Sequence, residues 1–319
     1  MIVRCMLAAL ALAAGGSHAA GYPERPIRLI VPQAPGSASD TVARIVGAEL
    51  AQRLGQQVVV DNRPGGALLI GMEMVARAIP DGYTLGYAPV GALAISPNIA
   101  RHVPFDPLRD IAAVAQVANN QMLLAASPAS PFRSVREVID YAKQNPGKLS
   151  NASSGNGTPG HVGMELFKLM AHVDIVHVPY KGGAAAITDL ISGQVQLMME
   201  SLNSITPHAK AGRVRALGVS GAARSSALPE VPTIAEAGVA GYEATTWNGI
   251  VAPAGTPQPV IAKLNARVND ALRSAALREK FAAIGAEPMP VAPGQFAALI
   301  RSEYAKWGDV VRRSGAKID

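Results

Sequence analysis

The chain has 319 residues, 49% of them hydrophobic and 16% charged, so it can bury sizeable cores and does not have the composition of a disordered protein. Its formal net charge is +6, but the basic residues are scattered singly and aromatics make up only 4%, which excludes the basic stripe and stacking surface of a nucleic-acid binder. At about 150 residues per domain the length implies two domains, and the dispersed Gly and Pro show neither a collagen-like nor a solenoid period.

Residues 1–20 open with Arg4, continue through an apolar run from Cys5 to Ala14 and end in small residues around Ala19-Ala20. That is the three-part form of a secretory signal, too short to span a bilayer, and it predicts a mature start at Ala20 or Gly21 in the periplasm. Cys5 is the only cysteine, so the mature chain carries no disulfide and no thiolate metal site.

A strand over Arg28–Val31 leads through Pro32–Ser39 into a helix whose apolar residues Val42, Ile45, Val46, Leu50 and Leu54 recur at helical spacing up to Gly55. Gln57–Val60, Leu68–Ala78 and Tyr83–Tyr87 continue as strand, helix and strand. This alternation predicts an α/β fold with a largely parallel sheet and helices on both faces. Val114–Val117 and Met122–Ala126 are two strand-like runs close together, as a chain crossing between domains would be. Ser134 with Glu137 forms a capping box for a helix over Val135–Gln144. A strand over Lys148–Asn151 then feeds a second loop of small residues, Ser153–Gly160, and a helix carrying Val162, Leu166, Phe167 and Met170. Further alternation covers Ile175–Val178, Ala184–Ile191, Val195–Met199 and Arg215–Val219. Trp247–Ala252 is read as the return crossing, and helices over Pro257–Ala276 and Gln295–Arg313 complete the first domain. The divisions are 1–20 for the signal peptide, 21–122 with 248–319 for domain 1, and 123–247 for domain 2.

Each half thus holds a small-residue loop running into a helix N-terminus, where unpaired N–H groups and the positive end of the helix dipole make an anion site. Helix capping by Ser39, Asp40 and Thr158 explains either loop alone equally well. Gly155, Gly157 and Gly160 spell the dinucleotide fingerprint, but Pro159 interrupts it and no acid follows Ile175–Val178 to hold a ribose, so no nucleotide cofactor is expected. The chain lacks a GxSxG elbow, a P-loop and HExxH, and its histidines show no ligand spacing, so neither a metal nor any cofactor is expected.

Several segments, in order, resemble one family: Ile30-Val31-Pro32-Gln33-Ala34-Pro35-Gly36, Asn62-Arg63-Pro64-Gly65, Asp81-Gly82-Tyr83-Thr84-Leu85, Gly155-Asn156-Gly157-Thr158-Pro159-Gly160-His161, His177-Val178-Pro179-Tyr180-Lys181-Gly182, Leu228-Pro229-Glu230-Val231-Pro232-Thr233 and Ala252-Pro253-Ala254-Gly255-Thr256-Pro257. They are similar to the extracytoplasmic solute receptors of tripartite tricarboxylate transporters, the TctC or Bug type. The resemblance implies a two-domain periplasmic binding protein, type II-like, each domain a mixed, mostly parallel sheet flanked by helices and closing like a Venus flytrap. It implies a small organic carboxylate in the cleft (a di- or tricarboxylate, an amino acid or an aromatic acid), membrane permease subunits as partners, and a monomer. Carried over, Gln33, Pro35, Gly36, Ser37, Ala38, Ser39 and Asp40 form the first binding loop. Ser153, Ser154, Gly155, Asn156, Gly157, Thr158 and Pro159 form the second, with Tyr180 and Lys181 beside it and Ala67, Leu68 and Glu200 near the cleft. The family commonly has glycine at Ser37, Ala67 and Leu68, and Asp-Asn at Glu200-Ser201, so ligand shape and polarity are expected to differ here. The alternatives are a secreted α/β hydrolase or transferase using Ser37 or Ser154, for which the sequence identifies no base, and a sensor that keeps the receptor fold.

Overall fold

The computed structural model describes residues 21–284 and 286–316; the signal-sequence reading of residues 1–20 lies outside them. Two sheets organise the chain. The elements of the first are β1 (Ile27–Val31), α1 (Ala38–Leu54), β2 (Val58–Asn62), α2 (Leu69–Ala76), β3 (Thr84–Pro89), a π-helical turn Gly91–Ile95 running into α3 (Ser96–Ile99), and β4 (Ile111–Asn120). The second comprises β5 (Met122–Ala126), α4 (Val135–Gln144), β6 (Ser150–Ser153), α5 (Pro159–Ala171), β7 (Val176–Pro179), α6 (Gly183–Ser192), β8 (Leu197–Ser201), α7 (Leu202–Lys210) and β9 (Arg215–Val219). The chain returns through β10 (Thr246–Pro253) to α8 (Gln258–Arg273), α9 (Ala275–Ala283), β11 (Glu287–Pro288) and α10 (Pro293–Ser314).

The first sheet has the order β11-β4-β10-β3-β1-β2 and the second β7-β6-β8-β5-β9. β1 pairs in parallel with β2 and β3, whereas β10 lies antiparallel between β3 and β4. In the second sheet β6 pairs in parallel with β7 and β8, and β5 lies antiparallel between β8 and β9. Both sheets are therefore mixed, and only β5, β10 and β11 run against the common direction.

Strand alternation sorts side chains to two faces. Met122, Leu124 and Ala126 of β5 face one core, and Leu123 and Ala125 the other. Ile27, Leu29 and Val31 of β1 pack with α1 and α8 on the outer face of the first sheet, and Ala186, Leu190 and Ile205 cover the outer face of the second. The remaining core is shared. Ile30 and Met72 from the first sheet's side, Phe167 and Leu124 from the second's, and Phe296, Ile300 and Trp307 of α10 form one continuous buried cluster.

Several boundaries differ from the sequence reading. β4 extends to Asn120, so Gln121 alone separates it from β5. The helix expected over Pro257–Ala276 breaks at Ser274, which ends α8 and caps α9 by accepting from Leu277 N–H at 3.3 Å. The turn and helix over Gly91–Ile99 were not expected, and neither was α7.

Candidate functional site

A cavity of about 370 Å³ opens where the C-terminal ends of β1, β3, β6 and β8 meet the two crossing segments. Ligands of open α/β sheets bind outside the carboxyl ends of their strands, and the volume suits a small molecule.

The first sheet contributes Gln33, then Ser39, Thr41 and Val42 at the start of α1, Leu68 before α2, Pro89 at the end of β3, and Val90 and Gly91 beyond it. α1 starts here because Ser37 Oγ accepts from Asp40 N–H at 3.2 Å and because Gly36 takes a left-handed φ of 79°. Asp40 braces the loop from behind. Its carboxylate accepts from Gly36 N–H at 2.8 Å, Arg44 Nε at 3.0 Å and Asn62 Nδ2 at 2.9 Å. Burial pushes the Asp40 carboxyl up, but the bonds from Arg44, Gly36 and Asn62 outweigh it and hold the group below its ordinary range.

The second sheet contributes Ser154 and Thr158 between β6 and α5, Pro159 and Gly160 on the first turn of α5, Glu200 and Ser201 at the end of β8, and Asn203 on α7. Thr158 caps α5 and donates from Oγ1 to Gly155 O at 2.8 Å. Gly160 is required by packing, because a Cβ there would stand 2.2 Å from Met199 O of β8. Behind the loop, His161 and His177 stack with ring centroids 3.9 Å apart. Gly157 N–H donates to His161 Nδ1 at 3.0 Å, and Ser153 Oγ meets His177 Nε2 at 2.7 Å. Burial, the neighbouring His177 and Lys168 lower His161 to about 3; burial and Lys168 lower His177 to about 4.

Of the residues named from sequence, Gln33, Ser39, Leu68, Ser154, Thr158, Pro159 and Glu200 line the cavity together. The others stand around it. Pro35, Gly36, Ser37 and Asp40 shape the approach to α1, which Ala38 opens. Ala67 is exposed on the turn before α2. Ser153, Gly155, Asn156 and Gly157 form the back of the second loop. Tyr180 donates from its hydroxyl to Asp189 at 2.6 Å, a bond that pushes the phenol up to about 12, and Lys181 points to solvent.

Sequence reasoning missed the floor of the cavity: Asn120 and Met122 at one crossing, and Thr246, Trp247 and Asn248 at the other. Chain segments that pass between two sheets necessarily lie at the base of the cleft between them, so the crossings themselves were the available signal. Trp247 is buried, packed edge-on against Phe296 with centroids 5.4 Å apart. Apart from the Glu200 carboxylate, the rest of the lining is hydroxyls, amides and aliphatic groups. Among the described residues no Lys, Arg or His lines it, and no cluster of three His, Cys, Asp or Glu is placed to hold a metal.

A family model described as the tripartite tricarboxylate transporter family receptor, TctC, matches residues 42–316. The chain belongs to this receptor family. A relative from Pseudomonas sp. (strain P51), the UPF0065 protein in the tcbD-tcbE intergenic region, is 40% identical over 91% of this chain and 86% of its own. Among solved structures, R. palustris Rpa4515 with adipate matches this TctC-family chain at TM-score 0.81 and 37% identity, over 93% of this chain and all of that one. MatC (Rpa3494) from Rhodopseudomonas palustris with bound malate matches at TM-score 0.77 and 33% identity, over 91% and 100%. These likenesses make the fold that of a TctC-type periplasmic binding protein, with its two mixed sheets flanked by helices.

Proposed function

We propose that this chain is a monomeric periplasmic receptor that captures a small organic carboxylate between two domains, residues 21–122 with 248–319 and residues 123–247. It then delivers the ligand to the membrane permease of a tripartite transporter. The observation that carries this reading is the convergence of two helix N-termini, α1 from one half and α5 from the other, on one cavity of about 370 Å³ that has no cationic side chain among its described lining. An anion in such a place is held by first-turn N–H groups, the aligned helix dipoles, and the hydroxyl of Ser39, whereas the Ser154 and Thr158 protons are already donated to Glu200 and Gly155 O. Charge-assisted hydrogen bonds are worth roughly 1.5 to 3 kcal/mol each, so three or four supply about the 8 kcal/mol of a micromolar complex after the cost of ordering. The adipate and malate in the two related structures support a carboxylate as the ligand class.

The hydrolase alternative has no histidine base on either named serine among the described residues, and a lone carboxylate is too weakly basic to activate a hydroxyl. Ser154 donates to Glu200, and Ser37 is engaged as a helix cap. Ser153 has a histidine partner but is fully buried, out of reach of a substrate.

Native mass spectrometry of protein purified from periplasm without refolding tests the reading. It is expected to show a chain beginning at Ala20 or Gly21 and carrying a small carboxylate. A chain that retains Met1, or a ligand-free protein that binds no carboxylate in calorimetry, would contradict it.

A further inference from the structure

Glu200 is the only charged side chain among the described residues that line the cavity. Ser154 Oγ donates to its Oε2 and Ser201 N–H donates to its Oε1 at 2.8 Å. Among the described residues no Lys, Arg or His forms an ion pair with it; the Lys168 ammonium of α5 is paired with Glu165. The carboxylate also packs close against the start of α6, since a Cβ on Gly183 would stand 3.2 Å from both Glu200 Oε2 and Ser154 Oγ.

A carboxylate has about four acceptor sites, and the two neighbours use two of them. What remains is an anion facing a cavity that, on the receptor reading above, also accepts the ligand's carboxylate at the helix N-termini. A ligand with a second carboxylate would set that further negative charge beside Glu200 in a partly desolvated space, where like charges repel more strongly than in water. A ligand with a cationic nitrogen would neutralise Glu200 and give it charge-assisted donors. We infer that Glu200 is a specificity-determining residue that pairs with a ligand ammonium, so that the preferred ligands are amino carboxylates rather than dicarboxylates. This inference rests on the receptor reading and narrows it.

The test is calorimetric titration of the folded protein and of Glu200→Gln with two sets of probes equal in carbon count. One set is succinate with 2- and 4-aminobutyrate, and the other is adipate with 2- and 6-aminohexanoate. In the native protein at least one amino acid should bind about ten-fold or more tightly than its matched dicarboxylate, a difference of about 1.4 kcal/mol. Glu200→Gln should lose about ten-fold of that preference while binding the dicarboxylate at least as well. Dicarboxylates that bind the native protein as tightly as the amino acids in both sets overturn the inference, and that arm needs no variant to fold. A preference that survives Glu200→Gln also overturns it. Absence of binding by every probe contradicts the receptor reading itself, so the two failures are distinct.

Discussion

Ala67 and Leu68 hold left-handed backbone at φ 50° and φ 76°, a conformation that costs an L-residue about 1–2 kcal/mol. At Leu68 the strain has a visible return, because the side chain lines the cavity and reaches Gly91, where a Cβ would lie 3.0 Å from Leu68 Cδ1. At Ala67 it has none, since the residue is exposed. Ala67→Gly should therefore raise stability, by up to about 1 kcal/mol, once the greater unfolded-state freedom of glycine, about 0.4–1 kcal/mol, is subtracted. Urea unfolding monitored by circular dichroism checks this, and a lower midpoint would show that the turn does not need the left-handed geometry. The sequence revealed residues of this kind only in part. Thr158 was identifiable as a helix cap, and Ser39 and Ser154 as members of small-residue loops, but the cap of α1 is Ser37 rather than Ser39 or Asp40, which lie inside the helix. Asp40 was identifiable as important, but its three bonds to Gly36, Arg44 and Asn62 make it a brace behind the loop, and Asn62 is too distant in sequence to foresee.

The element that presents the second loop is α5, and its first turn rests on a stacked, uncharged histidine pair. Both His161 and His177 titrate in the folded protein well below the ordinary value near 6.5, because burial and the Lys168 charge disfavour the imidazolium. The unfolded chain therefore binds more protons than the folded one between pH 6.5 and about 4, and stability falls as pH falls through that interval. Carboxylates held low by arginine partners, such as Asp40 and Asp61, stay ionised over its upper part. Urea midpoints measured from pH 7 down to 5 should decline, and the decline should be shallower in His161→Gln/His177→Gln. An identical slope in that variant would mean the pair is not the source. Elements were legible where a local signal marked their ends. The start of α4 is one case: Ser134 Oγ accepts from Glu137 N–H at 3.2 Å as the capping-box spacing predicts, although the Glu137 carboxylate accepts from Arg133 N–H at 2.6 Å rather than from the Ser134 N–H that would close the box. The break at Ser274 was hidden because apolar residues continue on both sides of it at helical spacing. Gly91–Ile95 is uniformly apolar and runs straight into Ser96-Pro97-Asn98, so no period distinguishes helix from loop there.

At the scale of the whole molecule, strand order was the least legible feature. β10, beginning at residue 246, inserts between β3 and β4 by pairing across more than a hundred residues, which no local pattern encodes. The two sheets are joined at Gln121 and just before Thr246, and α10 packs with both sides of the shared core. A ligand gripped from both halves favours the arrangement in which they approach, and these crossings are the segments available to absorb the rotation. With α10 holding the halves together the rotation should be small. Small-angle scattering should show a modest fall in the radius of gyration at saturating ligand, and no change with binding demonstrated separately would mean that the cleft is already closed without ligand. On the receptor reading, one carboxylate is held at once by the first turns of α1 and α5. Hydrogen–deuterium exchange with and without the tightest-binding probe of the calorimetric panel tests it most directly. Peptides covering residues 38–42 and 160–162 should both gain protection at the same ligand concentration. Protection confined to one of the two, or to a surface away from both, would contradict the two-sided grip.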